Sequence, residues 1–406
     1  MKVSVPPDFQ ADTQSRSVEK TVRLDYLDSI RGLAALAVFF GHFFGSFTWP
    51  RNLLNTLRLP FVNALIDGHS AVAMFFVLSG FVLSRPYFVP PSFSKGATRR
   101  MEIAPFYAKR IARIFIPFVS ALLLSAFAKA YLFTHYETIP PQTDWFRALW
   151  SYPVGMLDFL KQCVFLVHDP NMKLVSQDWS LGIELKASLL LPFFLMATRR
   201  NIFWLLIIAA LMTGSLKTGH FYFSFLLGII LARFMPLIQP TIQSLKSRWK
   251  ALLLVTGTSL YEAPILAAKW GVYASQSVAF EKFLWSLTSL GCLLTLIVTL
   301  SSNSAQKTLN HGMLTYLGRI SYSVYLLHFI VIFCAVPWLI HYLNGYGIIE
   351  SATLLAIVPA LILVLLISTA AYQYIELPSI RLGRWLSLKL RSEDTKKMRI
   401  LSHPTE

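Results

Sequence analysis

Charge is scarce in this chain, and acidic charge scarcer still: 14% of the 406 residues are charged, with 20 Asp and Glu against 37 Lys and Arg. So little charge, together with 55% hydrophobic residues and a mean hydropathy of +0.55, excludes an ordinary soluble domain and leaves a polytopic membrane protein in a lipid bilayer. The shortage of acid gives a net charge of +17. In a soluble chain that would suggest nucleic acid; in a membrane chain it bears on topology, and no nucleic-acid partner is expected. Cysteine is nearly missing. Cys163, Cys292 and Cys334 are scattered, with neither metal-ligand nor redox spacing, so no disulfide framework and no metal site is expected. Long polar stretches are missing too, apart from the first 27 residues and the last 25 or so, and no soluble domain is expected. The first apolar run lacks a small-residue cleavage site, which makes it a retained span. Corresponding broken helices in two halves, expected of many transporters, are not found. A transporter or flippase for an acyl donor or lipid-linked glycan nevertheless stays open, because many spans with buried charges also fit a transport path.

What the chain does have is apolar runs, at 31–49, 70–89, 114–133, 179–197, 202–218, 221–235, 251–268, 283–300, 320–343 and 351–375. They predict an all-α membrane bundle of about ten transmembrane helices, with both termini on one side. Lys and Arg are roughly threefold in excess on the segments that an N-in, C-in orientation makes cytoplasmic. Lys95, Arg99, Arg100, Lys109, Arg110 and Arg113 dominate after the second span, and Arg381 to Arg399 dominate the tail. Three parts follow: a cytoplasmic segment 1–27, a membrane domain 28–380 and a basic cytoplasmic tail 381–406. The outer segment 134–178 holds Pro140, Pro141 and Pro153, and its weakly apolar piece near 154–167 reads as interfacial or re-entrant.

Polar chemistry enters the apolar pattern at Leu27 to Phe44, LDSIRGLAALAVFFGHFF. Arg31 and His42 are eleven residues apart, three helical turns plus roughly 20°, so they project from one face about 16 Å apart along the axis. If the helix enters the bilayer near Asp28, His42 comes near the midplane, where an ionisable residue is costly and marks function by default. A snorkelling arginine and a histidine satisfied by a neighbouring helix are the plainer alternatives. Asp28 and Asp25 are possible partners for Arg31.

Seven stretches extend the pattern over nearly the whole chain: DSIRGLAALAVFFGH, GHSAVAMFFVLSGFVLS (68–84), FYAKRIARIFIPF (106–118), WSLGIE (179–184), FLLGIILA (225–232), LGRISYSVYLLHF (317–329) and YQYIELPSIR (372–381). In order and spacing they resemble the acyltransferase family 3 membrane proteins, whose signature is an arginine, ten residues and a histidine. Ala71 and Ala73 stand where relatives often carry Gly and Asp, and LKASLLLP follows Glu184 where aromatics are usual. The fused SGNH domain of some relatives is not expected. The resemblance implies an O-acyltransferase of the inner (plasma) membrane that moves an acyl group, most simply acetyl from acetyl-CoA, to a hydroxyl of a glycan or cell-envelope polysaccharide.

Acyl transfer to a hydroxyl needs a proton acceptor, donors for the oxyanion and a site that excludes water. His42 is the expected acceptor, and a covalent acyl-histidine stays open. The resemblance gives Arg31 a part in holding the acyl donor. It also matches Arg110 and Arg113 to a pair of arginines that suit coenzyme A phosphates, since guanidinium groups grip phosphate in a fork; ordinary positive-inside anchoring is the alternative. Glu184, expected near the outer side, could bind the acceptor sugar, pair with a buried cation or pair with Lys186. Ser79 and Gly80 are expected to permit close helix approach rather than nucleophilic chemistry. His328 reads as core packing or a second cavity residue, Glu376 as a helix-end or ion-pair residue, and His69, close to the outer end of the second span, as a solvated loop histidine ahead of one that meets the acceptor.

Overall fold

The structure, a computed structural model, describes residues 24–89, 101–133, 142–151, 153–164, 174–270, 277–344 and 349–402. Lys95, Arg99, Arg100, Pro140 and Pro141 lie outside the described residues. Within them the chain is an all-helical bundle, and extended pairing is limited to one bridge between Phe47 and Gln142.

Helix α1 spans Asp25–Ser46, α2 Gly68–Ser84, α3 Ile103–Tyr131, α4 Asp178–Arg200, α5 Ile202–Ser215 and α6 Gly219–Ser244. Then come α7 Ser247–Tyr261, α8 Ala263–Lys269, α9 Val278–Ser301, α10 Gly312–Ile330, α11 Ile357–Ala371 and α12 Leu377–Ser402. Eight helical stretches among the described residues are long and apolar enough to cross a membrane. Of the ten apolar runs, 202–218 forms only the short α5, and 251–268 falls on α7 and α8, which meet at 68°. A broken pair keeps its backbone groups bonded within two short helices, which membrane depth allows only where the break is covered by protein. Two π-helical turns, Val331–Ala335 after α10 and Tyr372–Glu376 between α11 and α12, let long helical stretches bend without ending. Residues 381–402, read as a polar tail, continue α12, where Gly383 lies against Lys109 of α3 and Arg391 pairs with Glu102 at 2.5 Å.

Between helices in lipid, packing rather than the hydrophobic effect decides association, and small residues decide packing. A Cβ on Gly80 of α2 would strike the carbonyl of Phe225 in α6, and one on Gly228 of α6 would strike the carbonyl of Val77 in α2. The two backbones therefore touch, as the small pair Ser79-Gly80 predicts. Gly80→Val is expected to force α2 from α6 and to remove the monodisperse, folded peak on size-exclusion chromatography in detergent. The second close pair is α1 with α10. A Cβ on Gly32 would come within 2.7 Å of the Gly318 amide nitrogen, and one on Gly318 would meet the backbone of Asp28. These helices run parallel, because ten residues after each glycine come His42 and His328, whose rings are 5.2 Å apart. Contact at the glycines thus fixes what meets at the histidines.

Candidate functional site

Helix α1 carries Arg31 and His42 to two different cavities. The first, of about 150 Å³, is lined by Arg31, Ser79, Arg110, Arg113, Ser180, Glu184, Tyr322 and Tyr325. Arg31 stays on its own helix through Asp28, with Nη1 2.8 Å from Oδ1, the partner expected from the i, i+3 spacing. Arg110, buried in α3, donates from Nη2 to Glu184 Oε1 and to Ser188 Oγ of α4, each at 2.8 Å. Ser79 of α2 adds a longer hydrogen bond to the same Glu184 oxygen, 3.5 Å. Arg113, one turn further along α3, is exposed and lies within electrostatic reach of Glu376 in the π-helical turn, whose carboxylate accepts from the Ser323 hydroxyl at 2.9 Å. Tyr322 closes one wall, its hydroxyl donating to the Ile114 carbonyl at 2.9 Å. Three of the lining residues are arginines and one, Glu184, is an acid, so the wall itself is positive, with Asp28 and Glu376 behind it. Arg31 and Arg110 are each engaged by an acid, and Arg113, the exposed member of the three, is the one placed to meet an anionic ligand.

The outer-side placement of Glu184 is overturned here. Its carboxylate meets Arg110, seven residues into α3, so the two share one level of the bundle, and Lys186 points outward, exposed. The sequence reading assumed that α4 starts at a membrane surface. Instead Gln177, just before it, donates to the carbonyls of Tyr325 and Leu326 at 2.7 and 2.9 Å, in the body of α10. The segment ahead is drawn in as well: Trp150 is buried, and its indole donates to the Leu174 carbonyl at 3.0 Å. Helix α4 therefore begins inside the bundle, and a residue a few positions along it lies deep.

His42 lines the second cavity, of about 430 Å³, with Asn63, Asp67, His69, Ile265 and Trp285. Its ring lies nearly parallel to His328 and to Trp145, 5.7 Å from the latter, and 4.5 Å from Phe329. His328 is fully buried between the cavities: its ring is 6.1 Å from Tyr325 of the first, Nδ1 faces the Val324 carbonyl at 3.2 Å, and Nε2 has no hydrogen-bond partner among the described residues. A nitrogen facing a carbonyl oxygen carries the proton, which leaves Nε2 as a free acceptor. His328 lines neither cavity and packs between a residue of each, Tyr325 and His42.

His69 is not a solvated loop residue. It lies in the first turn of α2, half-buried, with Nε2 3.3 Å from His220 Nε2 and its ring centroid 3.7 Å from that of Trp285. The helix starts earlier than hydropathy suggests because Asp67 caps it, accepting from the amides of His69 and Ser70 and from the Ser70 hydroxyl. Burial pushes the Asp67 carboxyl above its usual range, while these hydrogen bonds pull it back.

Ser188, His220, Trp285, Tyr322 and Tyr325 escaped the sequence reading. A tyrosine in an aromatic-rich helix or a tryptophan near a helix start looks the same in sequence whether it faces a cavity, a neighbour or lipid. His220, a lone polar residue at the start of an apolar run, was the one visible signal. Among the described residues no three His, Cys, Asp or Glu side chains are grouped to hold a metal.

A family model described as an acyltransferase domain, Acyl_transf_3, matches residues 24–373. No curated protein and no solved structure matches the chain.

Proposed function

Since the chain belongs to the acyltransferase family 3 and is a multi-pass membrane acyltransferase, we propose that it takes an acyl group, most simply acetyl, from acyl-CoA and passes it to a glycan hydroxyl. The observation that carries this reading is the division of α1. Arg31 joins Arg110 and Arg113 in a positive cavity near one end of the helix, and His42 lies in a roomier cavity eleven residues on. With the N-terminus cytoplasmic, the arginines face the compartment that holds coenzyme A, in the inner (plasma) membrane, and His42 faces a chamber reached from the membrane or the far side. The arginines hold the phosphates and the neck of the donor, and the thioester extends past Tyr325 toward His42.

At His42 the acceptor oxygen attacks the thioester carbonyl carbon while the neutral imidazole takes the hydroxyl proton. The carbon–sulfur bond then breaks, the ester leaves with the acyl group, and the imidazolium returns the proton to the thiolate, releasing free coenzyme A. Tyr325 lines the path, its hydroxyl held by Ser180 at 2.5 Å while Ser180 donates to the Gln177 carbonyl at 2.9 Å. Glu184 acts by holding Arg110 in place.

The test is coenzyme A release from acetyl-CoA by the protein in nanodiscs, with an envelope glycan extract as acceptor. Arg113→Ala is expected to raise the KM for acetyl-CoA about tenfold, the worth of one lost charge-assisted contact, with little change in kcat. An unchanged donor KM would remove Arg113 from the donor site. Absence of release by the unaltered protein with every extract would refute the reaction as written.

A further inference from the structure

The two cavities differ in charge. The first holds Arg31, Arg110 and Arg113; among the described residues no Lys or Arg lines the second, whose ionisable side chains are His42, Asp67 and His69. An anionic group in the first finds guanidinium forks. In the second it would be buried beside a carboxyl group with no cation to pair with, which a carboxylate or phosphate does not tolerate. Lys282, three residues before Trp285, sends its Nζ to the Gly214 carbonyl at 2.6 Å.

The second cavity also has the furnishing of a small-ligand site. Its volume of about 430 Å³ falls within the roughly 300–1,000 Å³ typical of ligand pockets. Trp285 and His69 stand ring against ring on one wall, and the indole nitrogen is turned toward Glu281 Oε1 at 3.4 Å, so its donor serves its own helix while the ring lines the chamber. Ile265, Ala268 and Pro264 of α8 make an apolar side, and Asn63, Asp67 and His69 supply a few polar atoms. An aromatic plate, an apolar wall and sparse hydrogen-bonding groups match a ring that is apolar on its C–H faces and polar at its edge.

Building on the function proposed above, we infer that the His42 cavity is the acceptor chamber and that it takes an uncharged sugar ring, seated on Trp285 with one hydroxyl presented to His42. Sugars whose carboxylate or phosphate would enter with the reacting ring are excluded by the missing cation. The same chemistry is offered by the terminal sugar of a free oligosaccharide and by that of a lipid-linked one.

The experiment uses the full chain in nanodiscs with acetyl-CoA and p-nitrophenyl glycosides of neutral hexoses, each paired with its uronate. A parallel pair with an alkyl chain in place of the p-nitrophenyl group separates free from lipid-linked acceptors. Neutral glycosides are expected to be acetylated at least tenfold more efficiently than their uronates. Trp285→Ala is expected to raise the acceptor KM at least tenfold, and Trp285→Phe far less, while acetyl-CoA binding, measured with the radiolabelled donor, is unchanged in both. Equal use of the uronates, or an acceptor KM indifferent to Trp285→Ala, overturns the inference and leaves the acyltransferase reading in place. So does a protein that binds acetyl-CoA but neither binds nor acetylates any neutral glycoside. Failure to bind acetyl-CoA at all would instead count against the donor site.

Discussion

His42→Ala is expected to lower acceptor-dependent coenzyme A release by about a hundredfold or more, the usual worth of a positioned general base, while the protein stays folded. The fold should survive because the His42 side chain holds no structural hydrogen bond that its loss would orphan. Its neighbours are rings, Trp145, His328 and Phe329, and a lost ring contact is worth only about 0.5–1.5 kcal/mol. The chemistry should not survive, because the ring is the ionisable group of α1 that faces the larger cavity. Stopped assays of free thiol, with the detergent melting curve as control, separate the two effects. Unchanged release would remove His42 from the mechanism and turn attention to His328, whose Nε2 is the neighbouring free acceptor.

Arg110→Leu is expected to destabilise the bundle by about 1–3 kcal/mol, because it leaves the half-buried Glu184 carboxylate without its charged partner. The double variant Arg110→Leu, Glu184→Leu should recover most of that loss, since removing both charges leaves no uncompensated group. Donor use should not recover: the KM for acetyl-CoA stays raised in both variants, because Arg110 is one of the guanidinium groups that hold the donor. Thermal midpoints in detergent for the two single variants and the double close the cycle. A double variant no more stable than Arg110→Leu would mean that Arg110 holds the bundle through Ser188 and packing rather than through its charge.

Apolar run length made the helical class and most helix positions legible, since only helices satisfy backbone groups in lipid over such lengths. The partnership of Arg31 with Asp28 was equally legible, because i, i+3 neighbours meet on any helix. Glu184 was misread: its depth depends on where α4 begins, and that depends on Gln177 reaching carbonyls in α10, 148 and 149 residues away in sequence. His69 was misread because the polar residues ahead of α2 resemble a loop until Asp67 is seen to cap the helix.

By itself the sequence determined the all-helical membrane class, the family, and the spacing that sets Arg31 and His42 eleven residues apart on one helix, because each follows from local periodicity or from motif order along the chain. Only the tertiary structure decided that these two residues open onto separate cavities, that His328 stands between them, and that Arg110 and Glu184 meet. Those facts depend on which helix faces touch, and here they touch where Gly32 meets Gly318 and Gly80 meets Gly228. A glycine reports in sequence that a backbone can come close, and only the fold names the backbone that does.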